Sequence, residues 1–163
     1  MKLFFLRHGV AGQRNLRKYP NDAARPLTSA GKREILRIAR RLLKDKIEFD
    51  QIISSPFVRA RQTADIVARV YTKDVRFTEY LTPEGAMPEL IKYIGRTCKD
   101  ADSVVLVGHE PHMTTLLSVL ISGKEDANIR LKKGGLAKLD VESLRLGRCA
   151  RLDWLLTPRQ LGA

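Results

Sequence analysis

The sequence predicts an α/β fold: a three-layer sandwich with a mainly parallel central sheet, helices on both faces and an antiparallel edge. Two observations carry this expectation. Short apolar runs alternate with segments of helical period, as in a sheet whose parallel strands are joined by helical crossovers. The last two runs, by contrast, are joined around Ser143 to Gly147, a link too short for a helix, so they pair antiparallel at or near an edge.

The elements follow in order. Strands are expected at Lys2-Leu6, Gln51-Ser54, Val75-Thr78, Ser103-Val107, Gly135-Val141 and Cys149-Leu156. A first helix opens at Thr28 or Ser29, with Ile35, Ile38, Ala39, Leu42 and Leu43 on one face and Arg33, Arg37, Arg40, Arg41 and Lys44 on the other. A second runs from about Phe57 to Tyr71 and buries Thr63, Ile66, Val67 and Val70. A third spans about Glu84 to Thr97, with Leu90, Ile91 and Ile94 inward. A fourth follows Pro111, with Met113, Leu116, Leu117, Leu120 and Ile121 apolar and Gly123 as its stop.

With 163 residues, 44% of them hydrophobic, the chain suits a single domain over 1–163. No apolar run is long enough for a membrane span and the first strand begins at once, so a cytoplasmic protein without membrane contact is expected. Cys98 and Cys149 stand in no metal-type spacing and are read as reduced thiols. Thirty Lys and Arg against eighteen Asp and Glu give a formal charge of +12, which favours polyanions, acidic protein surfaces or phosphorylated ligands.

Two of the three histidines end apolar runs, in Leu6-Arg7-His8-Gly9 and Val107-Gly108-His109-Glu110. Ligands of open α/β sheets bind beyond the carboxyl ends of the strands, so both imidazoles are expected in one crevice beside Arg7. A third contribution is expected from Ser54-Ser55-Pro56-Phe57-Val58-Arg59, where a strand turns into a helix whose first turn carries Arg59. A helix N-terminus and a guanidinium fork both suit a phosphoryl group. Phosphoryl transfer needs an in-line nucleophile among preorganised cations. His8 supplies the nucleophile if one ring nitrogen is held by a backbone carbonyl and the other keeps its lone pair. Neighbouring arginines are expected to lower its pKa. The aperiodic segment Gly9 to Pro26 places Arg14, Arg17, Lys18 and Arg25 over the mouth, as a funnel for anions or as a solvated loop.

Leu6-Arg7-His8-Gly9, the Ser-Pro-x-x-Arg-Ala-x-Gln-Thr-Ala string from Ser55 to Ala64 and Val107-Gly108-His109 resemble, in this order, the histidine phosphatase superfamily, or phosphoglycerate mutase-like fold. Arg25-Pro26-Leu27-Thr28-x-x-Gly31, Gly108-His109-Glu110-Pro111 and Lys133-Gly134-Gly135-Leu136-Ala137 look most like its SixA-type phosphohistidine phosphatases. The resemblance implies that His8 is phosphorylated, that Arg7, Arg59 and His109 bind the phosphoryl oxygens, and that water hydrolyses the phosphoenzyme. It implies no metal and no cofactor. The candidates for an acid at the leaving group are Glu79 and Glu84, which also have structural readings as a strand-end carboxylate and a helix N-terminal residue respectively. Without an acid the leaving group must depart readily, which favours phosphohistidine. His112 is expected at the pocket rim or as a cap, since the His-Glu-x-x-His spacing of zinc peptidases is absent.

The implied partner is a phosphorylated protein, such as a phosphohistidine-bearing phosphotransfer domain, reached through an open site. The alternatives are a small-molecule phosphomonoesterase or mutase acting on a small phosphate ester, and a non-catalytic polyanion-binding module. The last is disfavoured because five Phe, four Tyr and one Trp mostly occupy apolar runs instead of alternating with cations, so specific nucleic-acid binding is not expected.

Overall fold

A computed structural model describes residues 1–15 and 17–162. One mixed sheet has the order β3-β2-β4-β1-β5-β6, where β1 is Lys2–Arg7, β2 Gln51–Ser54, β3 Val75–Phe77, β4 Ser103–Gly108, β5 Leu136–Val141 and β6 Ala150–Leu156. β1, β4, β2 and β3 run parallel, while β5 pairs antiparallel with both β1 and β6. The antiparallel link and the edge position of β6 match the expectation from the short Ser143-Gly147 connection.

Four helices cover the sheet: α1 Ser29–Lys44, α2 Val58–Tyr71, α3 Met87–Thr97 and α4 His112–Ser122. β1 shows how they divide. Its alternating side chains send Phe4 and Leu6 into a core with Ile35, Ile38 and Leu42 of α1 and Ala64 and Val67 of α2. Leu3 and Phe5 go into a second core with Leu90 and Ile94 of α3 and Leu116 and Leu120 of α4. A strand buried on both faces therefore reads as an unbroken apolar run. The chain leaves β1 for the α1/α2 face and leaves β4 for the α3/α4 face, so the adjacent β1 and β4 form the topological switch point.

Local chemistry explains the boundaries. Thr28 caps α1, its hydroxyl accepting from the Gly31 N–H and donating to the Val10 carbonyl. Gly31 is required there, since a Cβ would stand 2.2 Å from the Val10 oxygen. α4 ends at Gly123 in the left-handed region, φ 83°, whose N–H closes on Val119.

Several expectations need correction. Leu43 is 41% exposed, because the buried stripe Ile35-Ile38-Ala39-Leu42 already fills the contact with the sheet. On α2, Ile66 and Val70 are only half-buried; the packed stripe is Ala60, Thr63, Ala64, Val67, Ala68 and Tyr71, one step round the helix. Ile121 likewise stays half-buried at the end of α4. α3 begins at Met87 instead of Glu84, since a 3-10 turn at Glu79–Leu81 and a close approach of Gly85 to the Tyr80 carbonyl precede it. Gln51-Ser54 is a strand as expected; the other five expected strands differ from the structure by a residue at one end. Among the described residues no helix is long and apolar enough to cross a membrane.

Candidate active site

The ladder that builds the sheet also aligns the site. Arg7 pairs with Gly108 across β1 and β4, and Ser54 pairs with Val107 across β2 and β4, so three parallel strands end at one level. The bonding continues one residue further: His8 N–H donates to the Gly108 carbonyl at 3.1 Å and Ser55 N–H to the Val107 carbonyl at 3.0 Å. His8, Ser55 and His109 thus leave the sheet side by side. The rings of His8 and His109 lie 5.0 Å apart, centre to centre.

His8 is held at both ring nitrogens. Nδ1 lies 2.7 Å from the Gly9 carbonyl oxygen, which can only accept, so Nδ1 carries the proton. Nε2 then keeps its lone pair and accepts a bond from Arg59 Nε at 3.2 Å. The Gly9 N–H donates to Thr63 Oγ1, and Thr63 donates in turn to the Arg59 carbonyl, so α2 fixes both ends of the His8–Arg59 contact. Burial pushes the His8 imidazole down to a pKa of about 3, with Arg59, Arg7 and Lys133 adding to the effect against the Gly9 carbonyl. The arginines act in the expected direction, but desolvation is the larger cause.

His109 is 1% exposed. Its Nε2 lies 2.9 Å from Ser55 Oγ, which also accepts from the Phe57 N–H. The serine hydroxyl can donate to Nε2, and in that tautomer the ring proton of His109 sits on Nδ1. That nitrogen is buried with no hydrogen-bond partner among the described residues. Burial, followed by the neighbouring His8 and Arg59, lowers this imidazole to about 2. Phe57 covers the ring at 5.1 Å and also lies 5.4 Å beneath the Arg59 guanidinium.

Arg59 is anchored beyond His8 by Asp22. Its Nη1 donates to the Asp22 carbonyl at 2.8 Å and its Nη2 pairs with the Asp22 carboxylate at 3.0 Å. Arg25 Nε holds the other carboxylate oxygen at 3.0 Å while its Nη1 donates to the Gly12 carbonyl. Arg25 is thus a brace inside the 9–26 loop and not part of a funnel. Arg14, Arg17 and Lys18 are exposed, and position 16 of that loop lies outside the described residues. The carboxylate of Asp22 is held below its ordinary value by Arg25, Arg59 and Arg14, which outweigh desolvation.

Arg7 reaches the site from β1, with Nη1 donating to the Leu131 carbonyl at 2.9 Å and Nε buried without a partner among the described residues. Glu110 lies within electrostatic range of Arg7, accepts a short bond from Thr114 Oγ1, and leaves Oε1 buried with no partner among the described residues. Glu79 and Glu84 are both exposed, and neither side chain bonds to a group of this cluster. His112 is neither a cap nor a rim residue: its buried Nε2 lies 2.8 Å from the Tyr80 carbonyl and ties α4 to the segment after β3. Arg61 points away and stacks over Phe77 at 5.1 Å. Among the described residues no three His, Cys, Asp or Glu gather as metal ligands.

The structure therefore brings Arg7, His8, Arg59 and His109 together and adds Ser55 and Asp22, which sequence reasoning did not single out. Ser55 was visible only as a turn residue, and Asp22 lay in a loop read for its cations. Both partnerships join residues 37 or more apart in sequence. The assembled site offers the Nε2 lone pair of His8, two guanidinium groups and a buried His109 Nδ1 that has no hydrogen-bond partner among the described residues.

Comparison with known proteins gives concordant findings. Residues 3–82 match the histidine phosphatase superfamily (branch 1). The chain is 30% identical over 127 residues to phosphohistidine phosphatase SixA of Escherichia coli K12, covering 76% of each protein. It is 32% identical over 148 residues to an uncharacterised protein of Picosynechococcus, covering 90% of this chain and 88% of that one. A structure of the protein histidine phosphatase SixA complexed with tungstate superposes over 99% of both chains with a TM-score of 0.83 at 25% identity.

Proposed function

The chain belongs to the histidine phosphatase superfamily, and from that premise we propose that it hydrolyses a phosphoryl group through a phosphohistidine on His8, taking that group from phosphohistidine of a protein. The observation that carries the reading is the state of His8: a neutral ring, its proton fixed on Nδ1 by Gly9, its Nε2 lone pair facing the Arg59 guanidinium.

In the first step Nε2 attacks phosphorus and the bond to the leaving group breaks, that group departing with the electron pair. Arg59 Nε leaves the lone pair for a phosphoryl oxygen, while Arg7 and the unpaired Nδ1–H of His109 hold the others. Charge moves onto these oxygens in the transition state, and donors already in place lower the barrier without reorganisation. The phosphorylated ring gains positive character, which the Gly9 carbonyl at Nδ1 stabilises. In the second step water attacks phosphorus, the P–Nε2 bond breaks and inorganic phosphate leaves.

The nature of the leaving group favours phosphohistidine. Among the described residues Asp22 is the one carboxylate bonded to His8, Arg59 or His109, and it is held ionised by its arginines, while Glu110 stands in range of Arg7. An imidazole that carries a proton on its other ring nitrogen departs as a neutral group, without the acid that a serine or sugar alkoxide requires. The reading keeps the cytoplasmic setting expected from the sequence.

Labelling with an alkaline quench tests it. Incubation with a phosphorylated substrate is expected to leave base-stable, acid-labile phosphate on the parent chain and none on His8→Ala. Near-parental turnover by His8→Ala would sink the mechanism. Ranking phosphohistidine, sugar phosphates and phosphoserine peptides by kcat/KM tests the substrate class, and a sugar phosphate in first place would overturn that part.

A further inference from the structure

The segment after α4 is stitched to the site at two points. Leu131 is buried and its carbonyl accepts from Arg7 Nη1, and the Gly134 N–H is shared between the Arg7 and His8 carbonyls at 3.0 and 3.1 Å. Between and beside these anchors Arg130, Lys132 and Lys133 are exposed. The inward Leu131 and Gly134 thus force three cations outward along the edge of the site. None makes an ion pair within 4 Å among the described residues, although the Glu34 carboxylate stands beside the Gly134 turn. The loop that carries Asp22 presents a further exposed cation, Arg14, which makes no ion pair within 4 Å among the described residues. Both segments lie within electrostatic range of the reacting groups: Lys133 acts on His8, and Arg14 on Arg59.

We infer that Arg130, Lys132 and Lys133, together with Arg14 of the loop that carries Asp22, form a docking rim for an acidic protein surface that surrounds the phosphohistidine. This rests on the phosphohistidine reading above and names the kind of protein that presents it. Three features select a protein surface. The reacting phosphoryl is met by Arg7, Arg59 and His109, so the outer cations are spare. They stand in solvent, spread over two separate segments, where a small ester held at His8 leaves them without a partner. Among the described residues the one exposed aromatic ring, Phe77, lies on β3 at the far edge of the sheet, while Tyr19 and Phe57 are half-buried, so no row of stacking rings accompanies the cations. Rim charges of this kind speed encounter and are screened by salt, while the chemical step is left alone.

The test compares two substrates with the same scissile bond: free phosphohistidine, and a phosphohistidine-bearing domain of net negative charge. The paired variant Arg130→Glu/Lys132→Glu touches neither the reacting groups nor the anchoring residues. At low salt its kcat/KM is expected to fall about tenfold or more for the acidic domain and to stay within about twofold for free phosphohistidine. At about 1 M salt, where the Debye length is about 3 Å, the loss on the domain is expected to disappear. Equal losses on both substrates, an unchanged rate on the domain, or salt-insensitive turnover would overturn the rim. Competition by single-stranded DNA as effective as that by the unphosphorylated acidic domain would also overturn it, assigning the charge to polyanions at large. If the parent chain hydrolyses neither phosphohistidine compound but cleaves a sugar phosphate, the functional reading itself has failed and the rim falls with it; every other adverse result leaves that reading standing.

Discussion

The low proton affinity of the two site imidazoles has a measurable cost in stability. In the unfolded chain His8 and His109 protonate near 6.5, whereas in the fold they stay neutral down to about 3 and about 2. A histidine whose folded pKa is depressed leaves the unfolded state binding more protons in the interval between, so stability falls as pH falls below 6.5. From pH 7 to pH 5 the linkage amounts to roughly 2 kcal/mol for each imidazole. The pair therefore removes roughly 4 kcal/mol from a total that for a domain is about 5–15 kcal/mol. His112, also lowered by burial, acts in the same direction. Asp22 and Asp50 are held below 3.8, so their contributions are intact above that value and are lost only at lower pH, outside this interval. Urea unfolding followed by circular dichroism at pH 7 and pH 5 measures the effect. His8→Asn and His109→Asn are each expected to shrink the pH-dependent loss by roughly 2 kcal/mol whatever they do to stability at pH 7. If His8→Asn loses as much stability between the two pH values as the parent, the imidazole is not the buried neutral group described, and its standing as a nucleophile at neutral pH goes too.

Other expectations follow from single contacts. Arg59→Ala removes a donor aimed at the reacting oxygens and is expected to lower kcat by roughly 10²-fold or more. Asp22→Asn, which loosens Arg59 while keeping the main-chain bond, should cost about tenfold in the parent and almost nothing in an Arg59→Ala background, as for coupled neighbours; equal losses in both backgrounds would refute the anchoring role. Gly31→Ala forces a methyl onto the Val10 carbonyl and is expected to destabilise by about 1–3 kcal/mol in urea unfolding. His112→Leu leaves the Tyr80 carbonyl without its bond and should lower stability by about 1–3 kcal/mol while kcat/KM for free phosphohistidine changes little; a large kinetic loss would place His112 in the chemistry.

Much of the architecture was legible along the chain because the signals are local. An apolar run followed by a histidine marks the end of a covered strand, and a Thr-x-x-Gly start or a Gly stop marks a helix boundary through bonds to its own neighbours. The resemblance to the superfamily rested on three strings of this local kind. Periodicity erred where two faces competed. Leu43 and Val70 fit an apolar stripe by spacing, yet only packing against the sheet decides which edge of the stripe is covered.

The residue types for phosphoryl chemistry, their order and their place at strand ends were determined by the sequence alone. The tertiary structure decided what those residues are chemically. It is the ladder register that sets His8 beside His109, burial more than neighbouring charge that keeps both imidazoles neutral, and contacts spanning 37 to 54 residues that give Arg59 and His109 their supports in Asp22 and Ser55. Desolvation and long-range hydrogen bonds depend on where the rest of the chain goes, and no local pattern of residues records that.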